Sequence, residues 1–116
     1  MNISEIRAFI PCKDYQKSIA FYQALGFKSE SAGEELTLLI KDDCTLFLQN
    51  HFYNEEMANS LMFQLIVNDI EDAFATISNN CDSGVKYSEI NHERWGKVFY
   101  LWGPSGELWH VTELNG

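Results

Sequence analysis

The chain has 116 residues, of which 46% are hydrophobic, and its 17 acidic and eight basic side chains give a formal net charge of −9. This length and composition predict a single globular domain and exclude a disordered chain. The acidic balance argues against nucleic acid and anionic membranes as partners, because both are bound through basic surfaces. A negative charge permits attraction of a cationic ligand, although solubility alone also explains it.

Cysteine usage and the N-terminal segment point to a reducing compartment. The three cysteines are scattered and odd in number, which does not predict a disulfide framework; they are Cys12, Cys44 and Cys81. The first residues lack the basic start and apolar core of a secretion signal. No apolar run approaches the roughly 20 residues of a membrane span. We therefore expect a cytoplasmic protein with reduced thiols.

The first half of the chain predicts one strand, one helix and three further strands. Ile3 to Ile10 is typical of a strand, and it ends at Pro11. Asp14 is suited to cap the next helix, whose apolar residues recur every three or four positions until Gly26 ends it. The three further strands are predicted over Phe27 to Ser31, Glu35 to Lys41 and Cys44 to Gln49.

The second half predicts the same order of elements. A polar linker over His51 to Ser60 comes first, with a strand over Leu61 to Val67 after it. Asn68 or Asp69 then caps a helix with the sequence IEDAFATISNN. The remaining strands are predicted over Gly84 to Ile90, Val98 to Trp102 and Leu108 to Thr112, the last two joined by a Gly-Pro-Ser-Gly turn.

The repeated order predicts two βαβββ modules, at about residues 1–50 and 60–116 of one domain. Each module has one helix and too little core to stand alone, so the two are expected to pair as a curved mixed sheet with a concave cavity. All three tryptophans lie in the last hairpin, which predicts either sheet core or the wall of an apolar pocket; they are Trp95, Trp102 and Trp109. The fold class is therefore predicted as α+β.

Three stretches of this chain resemble the vicinal oxygen chelate superfamily, which includes glyoxalases, bleomycin resistance proteins and extradiol dioxygenases. They are FIPCKDYQKSIAFYQALGF, MFQLIVNDIEDAF and RWGKVFYLWGPSGELWHVTE, and they occur in the order typical of the family. The resemblance is closest to the bleomycin-resistance-like members, and it implies an antibiotic-resistance role. One departure is Gly103, where the family usually carries Asp before the turn.

The resemblance also implies four positions at which family enzymes hold a divalent metal. In this chain those positions fall on Arg7, Phe47, Met62 and His110. Imidazole, carboxylate and thiolate groups bind such metals, and only His110 belongs to that set. We therefore predict that no family metal or other cofactor is bound, and that metal-dependent activities of the family are absent.

The residues at these four positions, Arg7, Phe47, Met62 and His110, are expected to line the cavity and contact a small ligand. Strand alternation adds Gln49 from the fourth strand, and loop position adds Trp95 and Trp102. On the seventh strand the alternation leaves two choices open, either Val98, Tyr100 and Trp102 or Phe99 and Leu101. Each site residue also has a structural explanation, since Arg7 can pair with a carboxylate and the others can serve as core.

Three functions are compatible with these residues. The first is a metal-independent binding protein that sequesters a small aromatic or cationic compound. The second is an enzyme in which His110 acts as acid or base while Arg7 holds a substrate oxygen. The third is a domain with a filled cavity that acts through protein contacts. Relatives of this length are commonly homodimers, and Pro11 is where a chain could pivot to exchange its first strand.

Overall fold

The computed structural model describes residues 1–81 and 84–116, and within them eight strands and three helices form an α+β fold, which confirms the predicted class. In chain order the elements are β1 (Phe9–Pro11), α1 (Tyr15–Ala24), β2 (Lys28–Gly33), β3 (Leu36–Lys41), β4 (Cys44–Gln49), α2 (Glu55–Ala58), β5 (Met62–Ile66), α3 (Ile70–Asn80), β6 (Asn91–Glu93), β7 (Gly96–Trp102) and β8 (Leu108–Leu114). None of the described helices is long and apolar enough to cross a membrane.

The strands form two four-stranded sheets of the same topology. The N-terminal sheet has the order β1-β4-β3-β2, and the C-terminal sheet has the order β5-β8-β7-β6. In each sheet the first strand is parallel to the last strand of its module, and the other neighbours are antiparallel. Both sheets are therefore mixed, as two copies of one βαβββ unit require.

Short side-chain caps fix where the two long helices begin. The carboxylate of Asp14 accepts a hydrogen bond from the backbone N–H of Lys17 at 3.1 Å. Asp69, and not Asn68, plays the same part for α3, accepting from the N–H of Asp72 at 3.2 Å. The predicted bounds of α3 are confirmed. The capping residue and the apolar residues that predict this helix are close together in the sequence, so a local pattern is enough to define it.

One continuous core joins the two modules. The N-terminal sheet contributes Ile10 and Leu48, and the C-terminal sheet contributes Phe99 and Val111. Helix α1 lies against both, because its Tyr22 is fully buried and its hydroxyl group accepts a hydrogen bond from the indole of Trp109 at 2.8 Å. Neither module could bury this much apolar surface by itself.

A carboxylic acid lies inside this core. The hydroxyl group of Tyr22 donates to Oε2 of Glu107 at 2.7 Å, and the backbone N–H of Ser105 donates to Oε1 at 2.9 Å. Burial raises the pKa of Glu107, against the opposing effect of these hydrogen bonds. Sequence reasoning missed this residue, although Glu107 shares the strand phase of Trp109 and Val111.

Two predicted elements differ from the structure in the first module and in the linker. The strand predicted over Ile3 to Ile10 is wrong before Phe9, since β1 begins there and Ile3 and Ile6 are exposed. A strand needs a backbone partner, and the pairing of β4 with this segment covers only its last residues. The polar linker also contains α2, which Asn54 caps by accepting from the N–H of Met57 at 3.0 Å.

The strand predicted over Gly84 to Ile90 is wrong as well. Strand β6 lies later in the chain, because the tight turn at Arg94 and Trp95 places Glu93 opposite Gly96. The earlier segment contacts β7 through a single bridge between Tyr87 and Leu101 and through backbone hydrogen bonds around it. Apolar composition alone did not show which segment would pair with the edge of β7.

Candidate functional site

Each sheet has a core face against the helices and an opposite face, which we name the open face. In β4, Leu46 and Leu48 are buried on the core face, whereas Phe47 and Gln49 alternate with them and are partly exposed. In β8, Trp109 and Val111 lie on the core face, with His110 on the open face. The open faces are therefore the surfaces on which the predicted site residues are to be sought.

The N-terminal open face carries a stacked aromatic pair and an arginine. The rings of Phe9 and Phe47 stack at 4.6 Å between centroids, and the guanidinium of Arg7 lies 5.6 Å from the centre of the Phe47 ring. Arg7 also donates to both carboxylate oxygens of Glu5, at 2.9 and 3.3 Å, and Thr45 donates to the same group. The predicted pairing of Arg7 with a carboxylate therefore occurs within its own N-terminal segment.

These contacts change the electrostatics of the N-terminal open face. The hydrogen bonds from Arg7 and Thr45 lower the pKa of Glu5, and the same ion pair raises the pKa of Arg7. Both groups thus remain charged and compensate each other near neutral pH. An anionic ligand would have to compete with Glu5 for the guanidinium, so the aromatic pair is the more accessible binding surface.

The C-terminal open face carries a row of three polar side chains across three strands. His110 stands between Gln64 on β5 and Tyr100 on β7, and its ring meets the Tyr100 ring edge-on at 5.0 Å. Nε2 of His110 is buried and has no hydrogen-bond partner among the described residues. Gln64 directs its amide instead to the hydroxyl group of Thr112 at 3.4 Å. This nitrogen is therefore an unsatisfied buried polar atom within the described residues, and such an atom needs an explanation.

The remaining predicted residues are spread around this row. Met62 shares the open face with His110 and is 65% exposed, while Gln49 ends β4 on the other sheet. Trp95 is exposed in the turn between β6 and β7, and Trp102 lies at the end of β7 beside Lys86. The structure thus groups Arg7, Phe47 and Gln49 on one sheet and Met62 and His110 on the other.

Three open-face residues were absent from the predicted site. Phe9 follows Arg7 by two residues and stands opposite Phe47, so the alternation that placed Arg7 would also have identified it. Gln64 follows Met62 by two residues, so alternation alone identifies it. Tyr100 belonged to one of the two choices for β7, and the structure selects it, because Phe99 and Leu101 are fully buried on the core face.

The residues at the four family positions do not fit a divalent metal. A guanidinium has no lone pair to donate, a phenyl ring has no donor atom, and the thioether of Met62 is a weak ligand. His110 is then a single donor, and among residues 1–81 and 84–116 no three His, Cys, Asp or Glu side chains are placed to hold an ion. The absence of a cofactor stays a prediction, which the donor chemistry favours.

The catalytic hypothesis required Arg7 and His110 in one cavity. Arg7 lies over the N-terminal open face and is bound to Glu5, and His110 lies on the open face of the C-terminal sheet. The Nε2 atom of His110 has no carboxylate to orient it among the described residues. Acid–base chemistry needs the base oriented within hydrogen-bond reach of its substrate and of a positioning group, so this arrangement favours binding over catalysis.

Comparison with known proteins gives one family and many structures. The family model described as Glyoxalase/Bleomycin resistance protein/Dioxygenase superfamily matches residues 4–111. No curated protein matches the sequence significantly. The matched range includes both modules, and all four family positions lie within it.

Solved structures of similar fold include three antibiotic-related proteins. A bleomycin resistance determinant encoded on the transposon Tn5 has a TM-score of 0.80 and 18% identity, with 98% of this chain and 100% of that chain covered. TnmS3, an antibiotic binding protein from Streptomyces sp. CB03234, has a TM-score of 0.80, 21% identity and 99% coverage of both chains. The bleomycin-binding protein of bleomycin-producing Streptomyces verticillus, in complex with copper(II)-bleomycin, has a TM-score of 0.80, 16% identity and 99% coverage of both. At these identities the similarity shows a shared fold.

Proposed function

This chain belongs to the Glyoxalase/Bleomycin resistance protein/Dioxygenase superfamily, and from that premise we propose that it is a metal-independent protein that binds and sequesters a small aromatic or cationic compound. The proposal rests on one combination of features on the open faces. They carry stacked aromatic rings together with one imidazole nitrogen that has no hydrogen-bond partner among the described residues. These groups occupy positions whose side chains do not suit the family metal. Ligand sites commonly combine such apolar walls with a few polar groups.

The aromatic part of the proposal rests on flat, accessible rings. Phe9 and Phe47 already stack on each other, and Phe9 is 48% exposed, so one ring face is open to a planar ligand. Tyr100 offers a second ring with a hydroxyl group beside His110. Offset or edge-on contacts between such rings contribute about 0.5–1.5 kcal/mol each beyond the area they bury.

The cationic part rests on charge. The chain carries a formal net charge of −9, which raises the local concentration of cations near its surface. Aromatic faces also attract cations, by roughly 0.5–2 kcal/mol depending on desolvation. The Streptomyces verticillus protein described above was solved with copper(II)-bleomycin, and a second bleomycin-binding protein of similar fold was solved with bleomycin. Bleomycin is therefore a reasonable first probe, although this chain shares less than a fifth of its residues with those proteins.

The open faces are also the basis for a proposed homodimer. They carry exposed apolar side chains, with Met62 at 65%, Ile66 at 58% and Phe9 at 48% exposure. An apolar surface of this kind is typical of an interface, and a second copy would cover it and close a cavity between subunits. The exposed residues before Pro11 could then exchange between subunits. Light scattering at micromolar concentration tests this, and a monomer mass would contradict it.

The binding test compares ligands on the wild-type protein and on two histidine variants. Calorimetric titration would cover bleomycin, neutral planar aromatics and aromatic amines. We expect His110→Leu to weaken binding about tenfold, since it removes a desolvated polar contact of the ligand. His92→Leu is the matched control, because His92 is exposed on the short strand β6. Equal loss in both variants, or no binding by the whole ligand set, would contradict the proposal.

A cytoplasmic location stays a prediction from cysteine usage.

A further inference from the structure

A cleft of about 430 Å³ lies where α1 of the first module meets the end of α3 and the turn after β7. One side is formed by α1, with the exposed Lys17, the buried Phe21 and the partly exposed Ala24. The opposite side includes Val85, Lys86 and Trp102. Of the residues predicted for the ligand site, only Trp102 lines this cleft. It is therefore a separate feature from the open-face surfaces described above.

The size of the cleft and its mixture of apolar and polar groups suit a small molecule. Its volume falls within the range of roughly 300–1,000 Å³ that is typical of ligand sites. The ring of Phe21 is buried at its base, and the small Ala20 and Ala24 leave the helix side free of bulky groups. Such a slot accepts a planar ring more readily than a branched chain.

The charge of the cleft is opposite to that of the whole protein. The ammonium group of Lys86 lies 4.3 Å from the centre of the Trp102 ring, and Lys17 stands across the cleft on α1. Within the described part of the chain neither lysine has a carboxylate at salt-bridge distance, whereas Arg7, Lys28 and Lys97 do. No acidic side chain is among the described lining residues. Within residues 1–81 and 84–116, the cleft therefore combines two lysines with the aromatic rings of Phe21 and Trp102.

We propose that this cleft is a second binding site, which takes a small aromatic carboxylate. The ligand ring lies in the slot against Phe21 and Val85, beside the indole of Trp102, and its carboxylate lies between the ammonium groups of Lys17 and Lys86. The ammonium group of Lys86 already lies over the face of the Trp102 ring. This contact leaves the ammonium hydrogens free to donate to the ligand carboxylate. The site therefore selects ligands of the charge opposite to those proposed for the open faces.

The test uses a rigid probe and its isosteres. The protein is titrated with 2-naphthoate, and separately with 2-naphthalenemethanol and 2-naphthylmethylamine, while amide and indole signals are followed by NMR. We expect 2-naphthoate alone to shift the signals of Phe21, Val85 and the Trp102 indole, and we expect added salt to weaken the binding. Shifts confined to open-face residues such as Gln64 and Tyr100, or an equal response to all three probes, would overturn the proposal.

Charge variants give a second readout. The double substitution Lys17→Gln with Lys86→Gln is expected to weaken 2-naphthoate binding roughly tenfold, because two solvent-accessible ion pairs are lost. The matched control is Lys13→Gln with Arg94→Gln, which changes the net charge equally at two exposed positions that do not line the cleft. These surface changes leave the core intact. Equal weakening in both doubles would show a general charge effect and overturn the assigned site.

Discussion

Tyr22 donates a hydrogen bond of 2.7 Å to Glu107, and this bond joins helix α1 of the first module to the turn of the last hairpin. Trp109 donates in turn to the Tyr22 hydroxyl group at 2.8 Å, so three buried polar groups satisfy one another. Burial and the adjacent carboxyl group raise the pKa of Tyr22 well above its ordinary value, and the hydroxyl group therefore keeps its proton. The orientation of the two modules depends on this network as well as on apolar packing.

Replacing the central hydroxyl group tests that dependence. We expect Tyr22→Phe to lower the free energy of unfolding by about 2–3 kcal/mol, because it removes the hydrogen-bond donor to Oε2 of Glu107 and the acceptor of the Trp109 indole. Tyr87→Phe is the control, since no hydrogen bond of that hydroxyl group to the described residues is found and its ring contact with Phe74 is kept. Urea unfolding followed by tryptophan fluorescence measures both, and equal stability of the two variants would contradict the role of the network.

The buried acid predicts a particular dependence of stability on pH. The pKa of Glu107 is higher in the folded protein than in the unfolded chain, chiefly because of burial. Between those two pKa values the unfolded chain has lost its proton while the folded protein keeps it. A rise in pH through this window therefore favours unfolding, with a slope of at most about 1.4 kcal/mol per pH unit. The contribution is fully present below the ordinary glutamate pKa and is lost as pH passes the raised value.

Glu107→Gln isolates this contribution, because the amide does not titrate while the other carboxylates remain. We expect the wild-type stability, relative to that of Glu107→Gln, to fall as pH rises from the ordinary glutamate pKa through the raised pKa of Glu107, and to be level on either side of that window. Glu5, whose pKa is lowered, contributes equally to both proteins and cancels. Parallel stability profiles for the two proteins would show that Glu107 titrates normally.

The carboxyl group of Glu107 fills the space where a side chain at Gly103 would lie. A methyl group at Gly103 would overlap the carboxyl group of Glu107, so this turn has no room for a side chain at that position. We expect Gly103→Ala to cost about 2 kcal/mol or more in the wild-type protein. In a Glu107→Ala background the methyl group has room, so the two costs should differ from additivity by about 1 kcal/mol or more.

The control for this pair is Gly84→Ala, where no atom of the residues that the structure describes lies within 4 Å of the added methyl group. Its effect on the melting temperature should be small and independent of residue 107. Additive behaviour of Gly103→Ala and Glu107→Ala in a double-mutant cycle would mean that the Glu107 side chain can move aside at little cost.

Metal dependence is the prediction that separates binding protein from family enzyme. Elemental analysis of the purified protein should find no stoichiometric metal, and its melting temperature should not change with Mn, Fe, Ni, Zn or EDTA. The reason is that His110 is one donor among Arg7, Phe47 and Met62. His110→Ala should respond to the metals as the wild type does. A stoichiometric metal would show that the family positions were assigned to the wrong residues, and its loss in His110→Ala would show that His110 is one of the ligands.

Local patterns predicted much of this fold. The caps at Asp14 and Asp69 act within three residues of themselves, and the bounds of α3 and β4 follow from them and from apolar alternation. The last hairpin was also found, with its turn between Trp102 and Leu108. The failures at β1 and β6 concern segments that resemble strands in composition but whose pairing depends on a distant edge.

The candidate site was less accessible to sequence reasoning. Alternation placed Phe47 and His110 on the faces where they are found, but could not show that they belong to separate sheets. It also could not show that Glu5 binds Arg7. The cleft at Lys86 brings together α1 and a segment some 60 residues later, and no local pattern records that distance.

The sequence by itself determined the family, the order of the elements and the acidic charge, because each depends on residue type or on neighbours a few positions apart. Only the tertiary structure decided which faces stay open, which phase β7 adopts, and where the chain brings Tyr22 to Glu107 and Lys17 to Lys86. Those are consequences of packing two modules around one core, and packing is set by contacts between residues that are distant in the chain.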